Sequence, residues 1–203
     1  MTNKQANAGI IYQGPSLIDG APIVVIATYS NRNTKTGAMV QTYILRSDID
    51  PRDANKSGAD YSICGDCPHR GTPTQEMGKK LATGRACYVV IGQGPLIVFK
   101  TFKRGVYPDM QGHDKTAELG RGRMIRLGAY GDPAACPSYI WESLLRDSAG
   151  HTAYSHQSGV TGAQFDPAIM MQSADNEGQA RAAWDSGART FRICLLYTSD
   201  AAD

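Results

Sequence analysis

"RMIRLGAYGDPAACPSYIWESLLRDSAGHTAYSH" (residues 123–156) decides the fold class, because its pattern runs from strand to helix and back to strand within a short span. "RMIRLGAY" reads as a strand. Pro137-Ser138 then opens a helix whose Ile140, Trp141, Leu144 and Leu145 share one face, and Gly150 is its expected stop. "HTAYSH" is the next strand. Downstream, "AIMMQSA" is another, and Asp175 is positioned to cap a helix "NEGQARAAWDSG" with Ala180, Ala183 and Trp184 facing inward and Gly187 ending it. "RTFRI" begins a further strand. Strands joined through helices imply right-handed crossovers and a parallel sheet or barrel wall.

Upstream the character differs. "APIVVIATYS" (21–30) and "AMVQTYILR" (38–46) are β-branched and aromatic runs on either side of "NRNTKTG" (31–37), a hairpin loop by its Asn and Gly content. "ACYVVIGQGPLIVFKTF" (86–102) adds two apolar runs broken at Gly92, Gly94 and Pro95. The expected fold is therefore α/β: a β-rich N-terminal half followed by βα units forming a partial (β/α) barrel-like or parallel sheet core.

The last ten residues, "CLLYTSDAAD", resemble one reading frame of a transposase-type sequencing adapter. Residues 1–193 are accordingly read as a single α/β domain with its C-terminal part missing, and 194–203 as an adapter-derived tail. Setting the tail aside moves the net charge from +2 to +4 and the cysteine count from 5 to 4. With 41% apolar and 20% charged residues the chain is globular rather than disordered. Its positive charge is spread out, with no long Lys/Arg run. No apolar run approaches the roughly 20 residues of a membrane span, and the polar start "MTNKQANAGIIYQGP" lacks the pattern of a secretory signal. The expected setting is the cytoplasm with no membrane partner, where a Cys-x-x-Cys points to metal or redox chemistry more than to a disulfide.

In parallel α/β sheets, sites form beyond the carboxyl ends of the strands. The residues there are "YGDP" (130–133), "SHQ" (155–157) and "SADN" (173–176), which nominate Asp132, His156 and Asp175 as catalytic residues. Singly, each has an ordinary explanation as a turn, a surface histidine and a helix cap. Their common edge argues for function.

"YSICGDCPHRG" (61–71) supplies the metal chemistry. Cys64, Cys67 and Cys87 are spaced Cys-x2-Cys-x19-Cys. With His69 as a fourth ligand they make a closed tetrahedral zinc site. Without it, three thiolates and an open position suit an iron–sulfur cluster that binds a substrate or cosubstrate. The third possibility is three reduced cysteines with no metal. Cys136, in "AACPS", is expected to be buried at a helix start.

"NTKTG", "CGDCPHR", "ACYVVIGQGP", "RLGAYGDP" and "AYSHQ", in this order, resemble segments of an uncharacterised family of bacteriophage and plasmid proteins, over most of residues 31–193. More remotely, the arrangement is similar to radical S-adenosylmethionine enzymes. These place three cysteines after the first barrel strand, often with an aromatic residue beside the last, and a Gly-Gly-Glu-Pro-like segment at a later strand end. That resemblance implies an iron–sulfur cluster on Cys64, Cys67 and Cys87, with Tyr88, Gly131 and Asp132 toward S-adenosylmethionine and His156 or Asp175 toward the substrate. It implies reductive cleavage of S-adenosylmethionine as the reaction. The cysteine spacing departs from that family's Cys-x3-Cys-x2-Cys, and Asp132 stands where it has Glu. The alternative is a zinc-stapled nucleic-acid-binding or phage replication accessory protein. Cys64, Cys67, His69 and Cys87 would then be structural ligands, and Arg32, Lys35, Lys100, Lys103 and Arg104 would touch phosphates. His69 separates the readings: a closed four-ligand site argues structure, an open three-ligand site chemistry.

Overall fold

A computed structural model describes residues 5–30 and 37–192. The loop carrying Arg32 and Lys35 and the tail 194–203 lie outside the described residues.

The N-terminal half is β-rich. Strands β1 (Ala8–Pro15), β2 (Pro22–Ser30) and β3 (Met39–Arg46) pair antiparallel in chain order. Ile23, Val24, Val25 and Ile26 are all fully buried, so β2 is a continuous apolar run covered on both faces rather than an alternating one. Helices α1 (Pro51–Ser57), α2 (Tyr61–Cys64), α3 (Gly94–Lys103) and α4 (His113–Gly120) follow β3. The chain then returns as β4 (Met124–Tyr130), parallel to β3. α5 (Ser138–Leu145) leads to β5 (Gly150–Thr152), parallel to β4. After Ala153 the strand resumes as β6 (Tyr154–Ser155), which heads a second parallel sheet with β7 (Met171–Ser173) and β8 (Thr190–Phe191). α6 (Glu177–Asp185) joins β7 to β8. The strands form a five-stranded mixed sheet and a three-stranded parallel one, and among the described residues no barrel closes.

One hydrophobic cluster runs from Ile11 to Met170. Trp141 is fully buried in it, and its indole Nε1 donates to the Pro133 carbonyl at 2.9 Å, which satisfies the ring nitrogen and pins the turn after β4. Cys136 is fully buried, as expected, just before α5.

Several local expectations are corrected. The run "PLIVFKTF" belongs to the helix α3. Pro95 sits in its first turn, where a missing N–H costs nothing, and Leu96 and Phe99 are buried one turn apart. Gly150 does not stop α5, which ends at Leu145; it opens β5. α6 is capped by Asn176, whose Oδ1 accepts from the Gln179 amide at 2.9 Å, and not by Asp175. Trp184 is 60% exposed, with its Nε1 donating to Thr190, and does not face inward. Among the described residues no helix is long and apolar enough to cross a membrane.

Candidate metal centre

The pocket beyond the strand ends brings the separate candidates together. It is lined by residues past β3 (Cys64, Cys67, His69), by Cys87 and Tyr88 of the next loop, and by Gly131 and Asp132 after β4. His156 after β6, Ser173 at the end of β7 and Phe191 at the end of β8 complete the wall. Its empty volume is about 730 Å³ including the open mouth.

The cysteine loop is shaped by its own backbone. Cys64 ends α2, and Gly65 turns the chain with φ +50°. A Cβ at Gly65 would lie 2.0 Å from Gln157 Oε1, so only glycine fits. Gln157 is fully buried; its Nε2 donates to the Cys64 carbonyl at 2.8 Å, and its Oε1 accepts from the Asp66 amide at 3.1 Å. The His69 amide donates to the Cys67 sulfur, a contact that favours the thiolate. The His69 carbonyl accepts from the Cys87 amide at 3.0 Å, which holds the third cysteine beside the first two. Arg85 curls the same segment by donating to the carbonyls of Cys87 at 2.9 Å and Val89 at 2.7 Å.

Behind the loop stands a satisfied polar cluster. Asp60, 2% exposed, accepts from Arg70 at 2.7 Å and from Asn55 at 2.7 Å, and Asn55 in turn accepts from the Ala82 amide. Buried charge of this kind is tolerated because every partner is present.

Burial pushes the Cys64 thiol well above its usual range, reinforced by nearby Asp60, Cys67 and Cys87. Burial likewise pushes Cys67 up to about 12, partly offset by the His69 amide. The three sulfurs sense one another across the pocket. A bound cation reverses this logic, since a coordinating thiol is deprotonated outright. Tyr130 is 4% exposed, lines the same pocket, and its hydroxyl has no hydrogen-bond partner. An orphan buried donor beside Cys64 and Cys87 is a group waiting for an acceptor.

Asp132 reaches the pocket wall with its oxygens engaged. Oδ1 accepts from the Ala134 amide at 3.0 Å; Oδ2 accepts from the His156 amide at 2.9 Å and Gln157 Nε2 at 3.3 Å. Ser155 adds a further bond, yet burial still holds the carboxyl above the ordinary range. Asp132 ties the end of β4 to the end of β6.

The His69 side chain is paired with a carboxylate. Its Nε2 lies 2.9 Å from Asp175 Oδ1, and His156 Nε2 lies 3.5 Å from the same carboxylate. Among the described residues, His69, His156 and Asp175 are the one trio whose ligand atoms all fall within 4.8 Å of each other. The four-ligand set Cys64, Cys67, Cys87 and His69 is not assembled around a single point.

No family model, curated protein or solved structure matches the chain.

Tyr88 forms the rim. Its hydroxyl and that of Tyr154 are 2.7 Å apart, Arg126 Nη2 donates to both at 2.8 Å, and Tyr154 stacks on Phe191 at 4.1 Å. Sequence reasoning assigned no role to Gln157, Tyr130, Tyr154 or Arg126. The strand held a signal: Gly128 and Tyr130 near the end of β4 both line the pocket. The basic residues nominated for phosphates stand beside acids, Lys103 near Asp48 and Lys100 near Asp50.

Proposed function

We propose that this protein is a metalloenzyme of the phage type in which Cys64, Cys67 and Cys87 hold an iron–sulfur cluster in the strand-end pocket, with S-adenosylmethionine as cosubstrate. The observation that carries this is the convergence on one pocket of three cysteines and the unpartnered Tyr130 hydroxyl, with His69 paired to Asp175 instead of the sulfurs.

The donor chemistry fits. Thiolates on one zinc at about 2.3 Å stand roughly 3.8 Å apart in a tetrahedron. Among the described residues the three sulfurs do not all lie within 4.8 Å of one another, wider than thiolates on a single zinc stand. A cluster with three protein ligands supplies an open iron for cosubstrate binding and one-electron chemistry.

The chain does the rest. Gln157 fixes the turn between Cys64 and Cys67, and the His69 backbone links Cys67 to Cys87. Tyr130 offers a hydrogen bond to sulfur, a recognised means of tuning such centres. Gly131 lines the wall at φ +79°, and a Cβ there would be strained and would meet Ile44 in the core at 2.7 Å. Tyr88 and Tyr154 join their hydroxyls on the pocket lining.

Anaerobic reconstitution with iron and sulfide tests the reading. Brown protein absorbing near roughly 400 nm and bleaching in air is expected. Colourless protein whose bound zinc is lost when Cys64 or Cys67 is replaced by Ser would favour the stapled alternative.

A further inference from the structure

We infer that His69, His156 and Asp175 form a second metal site, for a divalent transition ion such as zinc or ferrous iron, distinct from the cysteine site and opening on the same pocket. The inference does not depend on what the cysteines hold.

The three donors come from separate parts of the chain. His69 lies in the 3-10 turn Pro68–Arg70, His156 directly follows β6, and Asp175 lies two residues past β7. Their ligand atoms nevertheless point at one spot. His69 Nε2 is 2.9 Å from Asp175 Oδ1, and His156 Nε2 is 3.5 Å from each carboxylate oxygen. Ligands about 2.0–2.1 Å from a tetrahedral ion stand roughly 3.3–3.5 Å from one another. The trio therefore accepts an ion with shifts of about half an ångström at the shortest pair. The imidazoles meet edge to face, at 71° with centroids 5.5 Å apart, which leaves both Nε2 atoms free to converge.

An ordinary ion pair accounts for less. A second imidazole at 3.5 Å is at the long limit of a hydrogen bond while being well spaced as a co-ligand. The local sequence also spares the carboxylate. Asn176 takes over capping of α6, and the Asp175 amide is held by Gln179 Oε1 at 2.7 Å, so the side chain of Asp175 is positioned without being used as a cap. Two histidines and one carboxylate suit zinc or ferrous iron and leave coordination positions open. His69 and His156 line the pocket, so an ion held by the trio would sit at its edge, where water or an oxygen of the substrate could complete its shell.

Cobalt(II) is the probe. Metal-free protein is titrated with cobalt, and the absorption is split into visible d–d bands with and without the strong near-ultraviolet thiolate-to-cobalt charge transfer. Wild type should bind one equivalent free of thiolate charge transfer. Asp175→Asn and His156→Gln should each lose that equivalent while any thiolate-linked cobalt remains. A Cys64→Ser/Cys67→Ser/Cys87→Ser variant should keep it. A wild type that binds thiolate-free cobalt but shows no thiolate-linked band would count against the cysteine reading and leave this one standing. The inference is overturned if folded wild type binds no thiolate-free cobalt, or if Asp175→Asn binds it undiminished. It is overturned equally if His69 substitution removes the thiolate band, which would return His69 to the cysteines.

Discussion

Gln157 donates from Nε2 to the carbonyl of Cys64 at 2.8 Å, across 93 residues of sequence. The bond joins the end of β6 to the first cysteine, so the strand-end face and the cysteine loop form one unit. Replacing Gln157 by Leu leaves the Asp66 amide and the Cys64 carbonyl without their partner, at a cost of roughly 1–3 kcal/mol. Urea unfolding should show that loss, and iron retained after reconstitution should fall with it. Unchanged iron content in the destabilised variant would separate Gln157 from the metal site.

Asp132 gives a pH signature. Its folded pKa is raised by burial above the ordinary carboxylate value, so its contribution to stability is complete below that value and is lost as pH rises through the folded pKa. Asp132→Asn does not titrate, and it turns an amide toward donors, costing roughly 1–3 kcal/mol near neutrality. In metal-free protein the wild type should gain on the variant as pH falls from about 7 to about 4.5. Denaturant midpoints at the two pH values measure the gap; a gap that narrows on acidification would contradict the assignment.

The two tryptophans should behave oppositely. Trp141→Phe removes the bond to Pro133 and should cost about 1–3 kcal/mol while loosening the Asp132 turn, with lower iron retention as a consequence. Trp184→Phe, at an exposed position, should stay within about 0.5 kcal/mol. Denaturant titration of both variants checks this. Equal losses would mean that α6 packs more tightly than its exposure indicates.

Much of this arrangement is legible in the sequence, because strand and helix periods are local. "RMIRLGAY", the Ile140–Trp141–Leu144 face and the strand-end positions of Asp132 and His156 all follow from spacing, and the topology then carries them to one pocket with the cysteines. What escapes is non-local or depends on a single residue of register. "PLIVFKTF" has the β-branched content of a strand and becomes a helix because Pro95 suits a first turn and the buried face pairs Leu96 with Phe99. Asp175 and Asn176 are both good caps, and only the start of α6 decides that Asn176 serves and Asp175 faces the histidines. The hold of Gln157 on Cys64 and the empty hydroxyl of Tyr130 depend on contacts that no spacing encodes.

Iron and acid-labile sulfide counted per chain after anaerobic reconstitution, in wild type and in single alanine variants of Cys64, Cys67, Cys87 and Cys136, test the central claim most directly. Cys136 is buried in the core and does not line the pocket, so it serves as the control. The account predicts that the Cys64, Cys67 and Cys87 variants each lose most of their iron and sulfide together, while Cys136→Ala keeps the wild-type ratio. Iron and sulfide that survive loss of any one pocket cysteine, or that vanish only with Cys136, would contradict it.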